Sequence, residues 1–290
     1  MESFESFWSI YSNLVLTVGT NALLALSIWL TLSCGLLAMA NGAFMGIGAY
    51  TAALLTMNVP GEHFALSLAG GITAPMLVAL LIGTPTLRLS GVYLAMATLA
   101  FGEVVRIAII NTESITGGAL GLNGIPPLTQ WWHVAGALLL ALLGLAALRR
   151  SKVGRAFQAI KLDETAAGLM GINVNAHKLS AFVLGAGLAG LAGALNAHLT
   201  FFIGPSEYGF DRGVEILTMT ILGGIDGLTG PVAGALIITL LPELLRSLKD
   251  FRTVVNGLIL VVIVLFLPKG LWDPARLRRL FSRRPAAVRG

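Results

Sequence analysis

Charge is what this sequence has least of. Only 11% of its 290 residues are Asp, Glu, Lys or Arg, against 56% apolar, where soluble domains are about a quarter charged. Between Ser6 and Gly61 there is no Asp, Glu, Lys, Arg or His at all. So little polar surface excludes a soluble globular domain. The chain reads as a polytopic membrane protein. Cys34 is the single cysteine, so no intrachain disulfide is available. No GxxxxGK[ST] run occurs, which removes that route to cradling ATP phosphates. His63, His133, His177 and His198 are scattered, with no metal-ligand spacing, no HExxH and no Ser-His-Asp pattern. No cofactor or metal is therefore expected on this chain. The start, MESFESFWS, lacks the basic n-region of a secretory signal, so no cleavage is expected. The net charge of +5 sits where topology needs it and does not call for nucleic acid.

What the chain has in quantity is apolar runs of membrane length, about 17 to 25 residues each. The expected crossings are Leu14–Met39, Asn41–Met57, Phe64–Gly83, Val92–Asn111, Trp132–Leu148 and Leu179–Ile203. Gly213–Ile225 is a shorter apolar segment, and Pro231–Leu245 and Thr253–Leu267 follow it. Thr112–Gln130, with TGG and GLNGIPP, reads as turns. Trp131 and Trp132 suit an interfacial belt. The fold class is thus all-α, a single transmembrane domain over 1–290 with about nine crossings. A weak echo pairs Gly42, Gly48, Ala53, Leu54 and Pro60 with Gly224, Gly230, Ala235, Leu236 and Pro242 at one offset. Glycine-interrupted segments in corresponding halves can mark a transport path.

One connector is both basic and hydrophilic. Residues 149–178 carry Arg149, Arg150, Lys152, Arg155, Lys161 and Lys178, and a short loop this basic is expected in the cytoplasm. Within it Asp163 can be an N-cap, Glu164 suits the first-turn dipole and Gly171 can close the helix. That describes a coupling helix of two turns, about 10 Å long. Counting from this loop puts the N-terminus outside. The tail 268–290, with Arg276, Arg278, Arg279, Arg283, Arg284 and Arg289, lies inside if Gly213–Ile225 crosses.

Within the spans, Glu103 and Arg106 are three residues apart and can pair on one helix face. They read either as a structural lock or as lining of a permeation path, because a lone charge in the bilayer centre is costly. Asn41, Asn196 and Glu215 are weaker polar candidates, better suited to helix–helix hydrogen bonds. The glycine runs, including Gly46, Gly48, Gly223 and Gly224, suit close helix packing or a broken helix that exposes backbone to a substrate.

Several motifs occur in order: GAFMGIGAYTAALL (42–55), GVYLAMATLAFGEVVRI (91–107), TGGALGLNGIP (116–126), VGRAFQAIKLDETAAGLMGINV (153–174), LGGIDGLTGPVAGALI (222–237) and LPKGLWDP (267–274). Together they resemble the branched-chain amino acid permeases of ABC transporters, of the LivM type. Glu164, Ala166, Ala167 and Gly171 resemble the E-A-A-x3-G coupling motif, with one residue inserted after the Glu. The resemblance implies a bacterial or archaeal inner-membrane importer. Its expected partners are a second homologous permease, two cytoplasmic ATPase subunits that bind ATP and Mg, and an external substrate-binding protein. Asp163, Glu164, Ala166, Ala167 and Gly171 would couple to the ATPase. The alternative function is a stand-alone channel or secondary transporter for a small solute such as urea or an amide.

Overall fold

The computed structural model describes residues 2–58 and 64–244, with side chains given from 13 to 243. It is a helical bundle with one two-residue pair of strands. In chain order the helices are α1 (Glu2–Ser33), α2 (Asn41–Asn58), α3 (Phe64–Thr86), α4 (Gly91–Asn111) and the single turn α5 (Glu113–Thr116). Then come α6 (Trp131–Arg150), α7 (Lys152–Leu162), α8 (Glu164–Leu169), α9 (Val174–Thr200), α10 (Phe210–Gly223) and α11 (Thr229–Leu244). The strands β1 (Leu122–Asn123) and β2 (Phe202–Ile203) pair antiparallel. Among the described residues five helices are long and apolar enough to cross a bilayer: α1 from Asn13 onward, α3, α4, α6 and α9. The expected span Thr253–Leu267 and the tail lie outside the described residues.

The core is α9 wrapped by α1, α2 and α3, and small residues make it possible. A Cβ placed on Gly48 of α2 would sit 2.5 Å from the Gly190 Cα of α9, so only glycine allows these backbones to meet. Such contact supplies the dispersion that drives helix association in lipid, where no hydrophobic driving force exists. Phe44 and Phe182 meet edge-on at 5.4 Å over this contact. α6 stands apart, with Leu139, Leu140 and Leu143 all more than half exposed.

Two expected spans need correction. The run 14–39 is not one crossing: α1 stops at Ser33, the chain turns at Cys34 and Gly35 (φ 77°), and 36–39 is non-helical. Apolar composition hid the break, because GLLAMA looks like more helix. Backbone groups away from water must find partners, and the Met39 N–H donates to Thr98 Oγ1 at 2.9 Å. The segment 213–225 is also not a free-standing span. α10 has 14 residues, about 21 Å at 1.5 Å per residue, against a hydrocarbon core of about 30 Å. The internal echo concerns sequence alone, and spatial contact follows a different pairing. The echo aligns α2 with the end of α10 and with α11, whereas in space the first turn of α2 meets the first turn of α10: a Cβ on Gly42 would lie 3.3 Å from the Gly213 N.

The ends of the bundle are distinct. At one end, the Trp29 indole N–H donates to the Ile225 carbonyl at 2.8 Å, and Arg149 Nη2 donates to the Asp226 carbonyl at 3.1 Å. Here α1, α6, the α10–α11 turn and the α7–α8 connector converge. At the other end, Thr56 and His198 are hydrogen-bonded at 2.9 Å, and Phe64 packs on His133 and His198. Trp131 and Trp132, each about half exposed, stand there too.

Candidate functional site

Two places combine polar chemistry with unusual backbone. The first is where α2 and α10 begin, deep between the bundle's ends. α2 follows the non-helical stretch 36–39, and α10 follows a 3-10 turn over Pro205–Tyr208 and an extended Gly209, so both positive dipole ends lie between the ends of the bundle. Asn41, at the head of α2, is buried and donates to Ser27 Oγ of α1 at 2.7 Å. At the head of α10, Glu103 reaches across from α4 and accepts the Phe210 N–H at 2.9 Å. The same carboxylate accepts Arg106 Nε at 2.8 Å. Glu103 is therefore an N-cap supplied by another helix as well as half of an ion pair.

A second polar chain begins one turn on. Arg212 donates to Glu215 Oε2 of its own helix and to Asn21 Oδ1 of α1, both at 2.6 Å. Asn21 passes the chain to Thr239 Oγ1 of α11 at 2.9 Å. Three helices are pinned by one guanidinium, whose two arms suit two acceptors at once. The side chains of Glu103 and Arg106 are each 35% exposed, and Asp211 is exposed beside them.

The sequence-derived candidates divide accordingly. Glu103 and Arg106 stand on this open face, and Glu215 joins it through Arg212. Asn41, Gly46, Gly48, Gly223 and Gly224 are buried. Gly46 packs on the Tyr208 ring, and Gly223 meets the Gly230 carbonyl in the α10–α11 turn. Asn196 is partly buried in α9, and its carbonyl accepts the Thr200 hydroxyl. Sequence reasoning missed Asn21, Asp211 and Arg212. The signal was present in EYGFDRGVE (207–215), where four charges abut an apolar run.

The second place is the connector. Asp163 caps α8 as expected: its Oδ1 accepts the N–H groups of Thr165 and Ala166, both at 2.9 Å. Gly171 takes the left-handed conformation at φ 83°, which glycine adopts without steric cost. The Ile172 N–H then closes onto the Ala167 carbonyl at 3.1 Å. α8 is six residues long, about 9 Å. One expectation fails: Ala167 is 2% exposed and faces its own protein, so Ala166 alone of the pair is presented outward. α7 was not anticipated. It is an amphipathic helix, capped by Ser151 accepting the Gly154 N–H, that buries Ala156, Phe157 and Ile160. Lys178, in the first turns of α9, is 5% exposed and binds Glu164 Oε2 at 2.5 Å. This ion pair ties α8 to the central helix. Leu162, Leu169 and Met170 project outward, each more than 80% exposed.

Charge beside discontinuous helices, together with an outward-facing helical knob, is the pattern of a multi-pass membrane transport subunit. Comparison with known proteins makes that specific. The family model described as branched-chain amino acid transport system, permease component, matches residues 10–267. This chain belongs to that family. It is 32% identical to the high-affinity branched-chain amino acid transport system permease protein LivM of Salmonella typhimurium, over 91% of this chain and 68% of that protein. The figures for LivM of Escherichia coli are the same. LivH of Escherichia coli, from a system of the same description, is 33% identical over 46% of this chain and 44% of its own. No solved structure matches the chain.

Proposed function

We propose that this chain is one permease subunit of an ATP-driven importer of branched-chain or related amino acids. It would pair with a second permease, two ATPase subunits that supply ATP and Mg, and an external binding protein that delivers substrate. The observation that carries this reading is the α8 knob. Leu162, Leu169 and Met170 place three large apolar side chains in solvent beside a helix capped at both ends, and none of the described residues covers them. Family membership supplies the partner: an ATPase cleft. The connector and C-terminus are then cytoplasmic and the N-terminus external. Nine crossings result if the irregular segment 201–209 and α10 together count as one.

The path runs along the open side of α10, where Asp211, Glu103 and Arg106 meet the second permease. An amino acid carries both charges, and a surface offering both carboxylate and guanidinium suits it. Leu169→Glu/Met170→Glu tests the docking role in complexes reconstituted with the binding protein. Substrate-stimulated ATP hydrolysis is expected to fall at least tenfold, as roughly 1.4 kcal/mol of lost docking would give, with the permease still inserted. Wild-type stimulation would place the ATPase contact elsewhere.

A further inference from the structure

A trench runs along the bundle between α6 and the α3–α9 pair. Its volume is about 780 Å³ and its walls are apolar, with Met76 of α3, Leu140 of α6 and Leu188 and Leu191 of α9 among them. Gly136 and Gly144 line it from α6, and neither has any atom within 4 Å of where a Cβ would stand. It extends along α6 from Trp132 to Leu148, about 24 Å at 1.5 Å per residue and most of the hydrocarbon thickness. At the connector end it adjoins a second cavity of about 260 Å³, which shares Leu30, Leu145 and Leu148 with it. That cavity is polar. Arg149, Lys161, Gln158 and Asp226 line it, and the Arg149 guanidinium is bound to the Asp226 carbonyl rather than to its carboxylate.

We infer that the two cavities form one site for an anionic phospholipid of the leaflet on the connector side. An empty trench of this size would forfeit the dispersion contacts of its walls, and in the bilayer the flexible apolar matter at hand is acyl chain. An acyl tail enters sideways from the bilayer and fills the half of the trench nearest Gly144. The headgroup phosphate then sits against Arg149 and Lys161. Two cations against one carboxylate leave the cavity positive, and basic pockets between transmembrane helices on this side take acidic headgroups. The lipid would wedge α6 from α9 and touch both α7 and the α10–α11 turn.

The test uses the full-length chain extracted with its partners, washed extensively in detergent, and quantifies retained phospholipid by mass spectrometry. Wild type should retain anionic phospholipid in preference to zwitterionic. Lys161→Gln and Arg149→Gln should each weaken retention about fivefold, and Gly144→Phe should abolish it by filling the trench. Gly136→Phe, about 12 Å further along α6, should leave it unchanged. Lys161→Gln alters only an exposed side-chain head, so it remains informative if the other variants assemble poorly. Equal retention of both lipid classes, or undiminished anionic lipid in both Lys161→Gln and Gly144→Phe, overturns the proposal. So does a photo-crosslinker at position 144 that captures a protein helix in place of lipid.

Discussion

α2 and α10 begin face to face, yet they are built in opposite ways. α2 has no charged residue, and eleven of its eighteen positions are buried. Its Gly48 brings its backbone onto that of α9. α10 is amphipathic, carries Asp211, Arg212 and Glu215, and adds side-chain ties, Glu103 at its head and Arg212 along its flank, to a close backbone contact with α11, where a Cβ on Gly234 would stand 2.8 Å from the Gly223 N. A helix fixed by backbone contact has no alternative position without a clash. One fixed by hydrogen bonds and ion pairs can exchange partners. The two helices therefore differ in their ties: α2 rests on backbone contact without ionic ties, and α10 has exchangeable charged partners as well.

The sharpest break of that comparison is at α2. Gly48→Leu would push a side chain into the Gly190 backbone, where neither neighbour can give, and overpacking costs on the order of 3 kcal/mol. Loss of monodisperse protein on size-exclusion chromatography is the expected result. A normal yield would mean that α2 is as adjustable as α10.

Next in size is Glu103. Glu103→Gln removes the ion pair and weakens the cap on α10, a loss of about 1–2 kcal/mol. Arg106→Gln removes only the pair. Substrate uptake should fall further in Glu103→Gln, and the double variant should resemble Glu103→Gln instead of recovering. Recovery in the double variant would show that pairing, not capping, is what Glu103 does.

The connector gives a third comparison. Gly171→Val forces a β-branched residue to positive φ, a strain of about 1–3 kcal/mol, and should uncouple ATP hydrolysis without lowering yield. Ala166→Trp should uncouple in the same way, because that side chain faces outward. Ala167→Trp should instead damage the protein itself, reducing its thermal stability in detergent. Identical behaviour of the two alanine variants would contradict their opposite burial.

Smallest is Arg212→Lys. An ammonium keeps the charge but loses the planar fork that reaches Asn21 and Glu215 together. A decrease in melting temperature of a few degrees, corresponding to about 1 kcal/mol, is expected. The matching change on the α2 side, Asn41→Ser, keeps a hydroxyl near Ser27 and should shift it less.

Much of this was legible in the sequence because lipid imposes simple rules. Runs of apolar residues marked α3, α4, α6 and α9 to within a few positions, and Asp163 and Gly171 bounded α8 by cap chemistry alone. The Glu103–Arg106 pair followed from spacing. What stayed hidden was non-helical backbone in apolar clothing. Nothing in GLLAMA distinguishes non-helical chain from helix, since its fate depends on Thr98, which is 59 residues from the Met39 N–H it receives. Lys178 was hidden for the same reason. Read along the chain it is one more basic loop residue; only the folded protein brings it to Glu164. The burial of Ala167 rather than Ala166 needed the path of α9, which no local pattern contains.

Trp29 lends the molecule an optical property. Its indole is 4% exposed and hydrogen-bonded to the carbonyl that ends the GGI turn after α10. Indole emission shifts with the polarity and hydrogen bonding around the ring. The other tryptophans are Trp8, Trp131, Trp132 and Trp272. A variant with those four replaced by Phe would carry one fluorophore, placed at the foot of α10 and beside the connector. Any ATP-driven displacement of that turn would then be written into the colour of its emission.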